Sequence, residues 1–182
     1  MIITFLSIDS SLSNTGIAFG EIENGVIKSI QGISLCETQK TKSKQVRASS
    51  DTINRCRETY RFVQHAIKAF NPSVVFVETP SGSQSSNGMK SYGTTCQLIA
   101  SITPDPIEVT PEEVKRASVG RKDASKRDII NWAYKLYPSL QWYVYRENLQ
   151  DKNEHMADAI AIAYAAIKTS DFIRLTSLTN HD

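Results

Sequence analysis

Apolar positions along the chain recur first with period two and then with steps of three and four. Ile2 to Ile8 is a short run rich in β-branched and aromatic side chains, followed by Asp9, Ser10, Ser11, Ser13, Asn14 and Gly16. Such a run predicts a buried strand that carries one carboxylate, Asp9, to its own end. Ile17 to Gly20 begins a second apolar run, so the pair reads as a hairpin. Glu23-Asn24-Gly25 is a tight turn, and Val26, Ile27, Ile30, Ile33 and Leu35 mark a third antiparallel strand. The chain therefore opens as a three-stranded meander.

From Glu37 to Ser50 the residues turn polar and basic, which predicts an exposed loop leading to a helix capped by Ser49 or Ser50. Ile53, Cys56, Tyr60, Val63, Ile67 and Phe70 then recur at helical spacing, and Asn71-Pro72 ends that helix. Val74-Val75-Phe76-Val77 is another buried strand, tipped by Glu78. Thr79 to Gly88 is rich in Ser, Gly, Pro and Asn and predicts a mobile loop; Met89 to Ile102 resumes a helical pattern. Pro106 to Val109 is a short strand, and Thr110-Pro111-Glu112-Glu113 carries the cap residue, proline and glutamate of a helix start. Gly120 interrupts that helix, and a further one runs from Asp123 or Ser125 to Leu136, before Pro138. Leu140 to Leu149 alternates weakly; its polar residues favour a loop and leave the assignment open. Glu154 to Lys168 is strongly helical, with alanine at six positions, small enough to pack closely on a sheet. Residues 169–182 read as a poorly ordered or loosely docked tail, so the expected organisation is one domain, 1–168, with a tail, 169–182.

Composition narrows the class without naming it. At 182 residues, with 40% apolar and 22% charged residues, the chain suits one globular domain with a sizeable core. The net charge of +2 conceals clustering: Lys40, Lys42, Lys44 and Arg47 form one basic group, and Lys115, Arg116, Arg121, Lys122, Lys126 and Arg127 another. Three widely spaced cysteines form no C-x-x-C pair, which points to reduced thiols in a cytoplasmic protein. No basic leader precedes the first strand and no apolar run approaches the ~18 residues of a membrane span, so neither secretion nor membrane insertion is expected.

Chemistry enters with the two strand-end acids. His155 and Asp158 are three residues apart and share one face near the start of the final alanine-rich helix, while Glu154 is expected to point elsewhere. Buried carboxylates need partners. Asp9, Glu78 and Asp158 converging with His155 would repel one another unless a cation lay between them, and hard carboxylate oxygens suit Mg²⁺ or Mn²⁺.

Taken together, Ile8-Asp9-Ser10-Ser11 to Thr15-Gly16, Val75-Phe76-Val77-Glu78, Val114-Lys115, Gly120 to Lys126, and His155-Met156-Ala157-Asp158-Ala159-Ile160-Ala161-Ile162-Ala163 resemble the RuvC-type Holliday-junction resolvases of the ribonuclease H-like superfamily. The resemblance implies an α/β three-layer fold whose mixed five-stranded sheet is antiparallel in its first three strands, parallel thereafter, and flanked by helices. It also implies two metal ions per active site: Asp9 bridging them, Glu78 holding one, and Asp158 with His155 completing the other. The family varies between Asp and His at position 155, and His lowers the negative charge of the ligand set. Hydrolysis would leave 5′-phosphates, and a four-way junction, with two scissile strands, implies a homodimer. Lys126 matches a basic residue near the scissile phosphate. Lys115, Arg116, Arg121, Lys122 and Arg127, with Lys90 and Tyr92, would contact DNA. Resolvases of this kind often carry an aromatic residue shortly after the second carboxylate; here that stretch is Thr79-Pro80-Ser81-Gly82-Ser83, and Tyr92 is the substitute expected.

The competing expectations are another ribonuclease H-like nuclease acting on flaps, branched DNA or an RNA/DNA hybrid; an actin-like phosphotransferase or ATPase, since Asp9 to Gly16 also resembles that phosphate-binding hairpin; and a DNA-binding module without chemistry. The actin-like fold repeats its hairpin in a second domain, and this chain contains one good copy. An intact Asp9, Glu78, His155 and Asp158 set argues against the inactive module.

Overall fold

In the computed structural model, which describes residues 2–82 and 84–178, one mixed sheet separates two layers of helices. Strands β1 (Ile2–Ser10), β2 (Asn14–Glu23) and β3 (Val26–Glu37) form the antiparallel meander. The β2–β3 turn uses Asn24 and Gly25, both at positive φ, which a tight hairpin requires and these residue types accept. Strand β4 (Val74–Glu78) adds to β1 in parallel, and β5 (Ile107–Val109) adds to β4 in parallel. The order is β3-β2-β1-β4-β5, so β1 is central, and the expected sheet is the observed one.

Side-chain alternation divides the core. Leu6, Ile8, Val75 and Val77 face helices α1 (Ala48–Phe70) and α2 (Ser86–Ala100), packing with Val63, Ala66, Leu98 and Ile99. Phe5, Val74 and Phe76 face the opposite layer, where α5 (Glu154–Ala166) lies across β1, β2 and β3. Ala157, Ala159, Ile160, Ala161, Ile162 and Ala163 are all fully buried, which is why this helix is alanine-rich all round rather than amphipathic. Helices α3 (Pro111–Ser118) and α4 (Lys126–Leu136) pack on its outer side. Both begin with reciprocal capping boxes, Thr110 with Glu113 and Ser125 with Asp128.

Four local expectations are corrected, and the open assignment of Leu140–Leu149 is settled. Helix α1 starts at Ala48, one to two residues before the expected caps, and its N-cap residue Arg47 makes no side-chain cap. Its apolar stripe is only partly inward: Val63 is buried, Phe70 stacks on Phe19 at 3.7 Å, but Ile53 and Tyr60 are exposed. Cys56, Thr59 and Tyr60 instead line a cavity of about 270 Å³ between α1 and α2, because periodicity fixes a stripe but not what lies opposite it. Helix α2 begins earlier than Met89, with the Ser85 hydroxyl accepting from the Gly88 N–H, so the loop after Glu78 is shorter than expected. Leu140–Leu149 contains a two-stranded hairpin, β6 (Val144–Tyr145) and β7 (Asn148–Leu149). Residues Ser170–Leu178 form helix α6, whose Phe172 is fully buried with its ring edge-on to Phe76 at 5.7 Å. That part of the expected loose tail is docked; residues 179–182 lie outside the described ones.

Candidate active site at the sheet end

The register carries two acids to the same place. Ile8 pairs with Val77 across the parallel β1–β4 ladder, so Asp9 and Glu78 leave neighbouring strands at the same end of the sheet. Alternation points Asp9 to the side of Phe5, and Glu78 to the side of Val74 and Phe76, which is the face covered by α5. Glu78 is further fixed by Thr79, whose N–H and hydroxyl both donate to the Val109 carbonyl at 2.8 and 3.2 Å.

The first turns of α5 bring the remaining residues. Gly16, opposite Asp9 in the β1–β2 ladder, lies so close to α5 that a Cβ there would overlap the backbone of His155 and Met156. The missing side chain lets His155 meet Asp9, with Nδ1 and Oδ2 2.6 Å apart. Burial alone would lower the His155 pKa; the hydrogen bond and charge of Asp9, with the charge of Glu154, outweigh it and raise it. Burial and the charge of Asp9 push the Glu78 carboxyl up to about 7, against a smaller opposing effect of Lys115. Asp158 is pushed well above the carboxylate range by burial and by Asp9, Glu78 and Glu154. The four expected residues are therefore one electrostatically coupled group.

Among the described residues, no three His, Cys, Asp or Glu side chains stand, as placed, close enough together to hold a metal ion. The donor set nevertheless suits one. Three carboxylates beside one imidazole, two of them (Glu78 and Asp158) with proton affinity raised by burial and by the neighbouring acids, constitute a site whose repulsion a hard divalent cation would relieve. The adjacent Ser10 hydroxyl is buried without a hydrogen-bond partner at the same strand end.

Glu154 corrects the sequence reading. It does not point away: its carboxylate holds the Lys126 ammonium at 2.6 Å, and its charge acts on both His155 and Asp158. Its four-residue spacing from Asp158 was the available signal. Through Glu154, Lys126 stands beside the acid group, and Asp158 and Asp9 add to the rise in its pKa.

The other expected DNA contacts are distributed unevenly. Lys115 is near enough to Glu78 to act on it. Arg116 is paired with Glu112 at 2.6 Å, Arg121 with Asp128 at 2.6 Å, and Arg127 with Asp151 at 3.7 Å. Lys122 and Lys90 are exposed, and among the described residues neither has a carboxylate partner. Tyr92 is on α2, half-buried, its hydroxyl engaged by Cys96, which raises its pKa. Two α2 side chains bind the turn after Asp9: Ser91 accepts from the Leu12 N–H and Thr95 donates to the Ser10 carbonyl, both at 3.4 Å.

Known structures share this arrangement of elements. A Thermus thermophilus RuvC in complex with Holliday junction substrate superposes with a TM-score of 0.64 and 17% identity, over 95% of this chain and 96% of that one. The fold is that of RuvC. A fowlpox virus resolvase, solved with Holliday junction DNA, matches over 91% of this chain and 97% of its own, with a TM-score of 0.53 and 16% identity. The yeast mitochondrial Holliday junction resolvase matches over 90% and 78%, with a TM-score of 0.54 and 16% identity. No protein-family model and no curated protein matches the sequence.

Proposed function

We propose that this protein is a divalent-metal-dependent endonuclease that cuts branched DNA, with the four-way junction as its substrate. The observation that carries the reading is the coupled group of Asp9, Glu78, His155 and Asp158 at the end of the two central parallel strands of a RuvC fold. Those four residues would hold Mg²⁺ or Mn²⁺, two ions per site. Bound ions activate water for attack on the phosphodiester and stabilise the leaving 3′ oxygen, giving 5′-phosphate ends.

The chain's own residues supply the rest. Asp9 occupies Nδ1 of His155 and fixes the ring, so Nε2 is the imidazole nitrogen that would be left to hold an ion. Glu154 holds Lys126 at the mouth of the acid group, where its ammonium meets a phosphate otherwise repelled by three carboxylates. Lys115 offsets the charge of Glu78 from the other side. Lys122, Arg116, Arg121 and Arg127, with Lys90 and Tyr92 on α2, extend the DNA contact along the helices beside the site. Two scissile strands require two sites, so the protein acts as a homodimer, and its thiols suit the cytoplasm. Among the described residues no helix is long and apolar enough to cross a membrane.

The test is cleavage of a labelled four-way junction with Mg²⁺, with Mn²⁺ and with chelator, alongside an RNA/DNA hybrid and a flap. Paired metal-dependent nicks in the junction are expected. Cleavage confined to the hybrid or flap moves the assignment to another ribonuclease H-like nuclease.

A further inference from the structure

The β6–β7 hairpin is a rigid exposed tip that the site described above does not use. Its base is pinned from both sides. The Trp142 indole N–H donates to the Tyr137 carbonyl at 2.8 Å, and the fully buried Asn153 side chain binds both the N–H and the carbonyl of Tyr143, each at 2.8 Å. Arg127 donates to the Leu149 carbonyl at 2.8 Å, and Lys152 lies 3.7 Å from the Tyr143 ring centre. Asn153 immediately precedes Glu154 and His155, so the hairpin is bonded directly to the start of the helix that carries the site.

At the tip the chemistry is exposed and conformationally costly. Tyr145 is 61% exposed, with the Arg146 guanidinium over its ring at 5.2 Å. Arg146 and Glu147 occupy the two turn positions at φ 45° and 66°, where Gly or Asn is usual. Side chains kept where glycine would relieve the backbone indicate a use for those side chains. A tyrosine backed by a guanidinium is a platform on which a nucleobase stacks.

From this placement, and resting on the branched-DNA reading, we infer that the β6–β7 hairpin binds an unpaired or end-exposed base of the DNA through the Tyr145 ring. The charges favour a base over the backbone. Arg146 is adjacent to Glu147, Lys152 pairs with Glu37 at 3.4 Å and Arg127 with Asp151 at 3.7 Å, so the tip offers little net attraction to phosphates.

The experiment compares the wild-type chain with Tyr145→Ala and Tyr145→Trp in chelator. It measures binding to a four-way junction carrying 2-aminopurine at the crossover and to a linear duplex, across a salt series. Tyr145→Ala is expected to bind the junction about tenfold more weakly and to lose its 2-aminopurine signal, with duplex affinity and salt slope unchanged. Tyr145→Trp retains both. Unchanged junction binding by Tyr145→Ala, or an equal loss on duplex and junction, overturns the inference while leaving the nuclease reading intact; the first is what a protein-docking hairpin would give. Wild-type protein with no preference for the junction overturns both. Because Tyr145 is exposed, the substitutions leave the fold in place, and a thermal melt of each variant verifies it.

Discussion

Asp9, Glu78 and Asp158 are held together against their mutual repulsion, so each is expected to serve function at the expense of stability. Asp9→Asn, Glu78→Gln or Asp158→Asn should lower junction cleavage by more than about a hundredfold, since even outer partners of metal ligands are worth roughly 10- to 100-fold. Junction binding should persist. In chelator at pH 8, Glu78→Gln and Asp158→Asn should melt at a higher temperature than wild type, because each removes a like charge without emptying volume. A lower melting temperature would show that these acids are not in conflict. Gly16 is legible only with the structure. Gly16→Ala drives a methyl group into the His155 backbone, and overpacking of that kind costs about 1–3 kcal/mol. The expected result is a lower melting temperature together with reduced cleavage, whereas Gly25→Ala, at an open surface turn, leaves cleavage unchanged.

At the scale of elements, the α3-Gly-α4 segment shows how pairing edits a charge count. Sequence alone makes its six cations equivalent; the structure gives Arg116, Arg121, Lys126 and Arg127 carboxylate partners of their own. Exposed pairs of this sort contribute little to stability but reduce what is released when DNA binds. Lys122→Ala is therefore expected to flatten the dependence of log K on log salt by about 1, and the Lys122, Lys126 and Arg127 triple alanine variant by about 2. An unchanged slope in both would make this face ordinary surface. The cap of α3 was readable residue by residue, and the start of α4 to within Asp123 or Ser125, because a capping box is a local arrangement of hydrogen bonds. The β6–β7 hairpin was not, because its turn residues are not those its backbone prefers and its anchor is a side-chain contact from Asn153, outside the hairpin, that no periodicity marks.

For the whole molecule, the coupled site ties stability to pH and, on the proposed function, to metal. Glu78 rises from 4.5 to about 7 on folding, and Asp158 and His155 are also raised. Without metal, the folded protein therefore binds more protons than the unfolded chain up to and beyond neutral pH. Its stability must fall as pH rises through 7. Melting in chelator should show a lower Tm at pH 8 than at pH 6, by about 2–4 °C for each kcal/mol lost. Added Mg²⁺ or Mn²⁺ should recover the loss at pH 8 and do much less at pH 6, where it must displace the protons that the site holds. A Tm that climbs from pH 6 to 8 in chelator contradicts the arrangement.

The succession of β1 to β5 and α1 to α5, the carboxylate at the end of β1 and of β4, and the burial of α5 were all set by local pattern. Apolar period and turn chemistry act over a few residues and survive without knowledge of the rest. Tertiary structure decided the remainder. It determined that Asp9 and Glu78 share a face, through the Ile8 to Val77 register, and that Gly16 admits α5 close enough for His155 to reach Asp9. It placed Glu154 on Lys126, left Ile53 and Tyr60 outside the core, and docked α6 through Phe172. Each of these depends on which surfaces meet across long sequence separations, and periodicity within a single element contains no information about its partner.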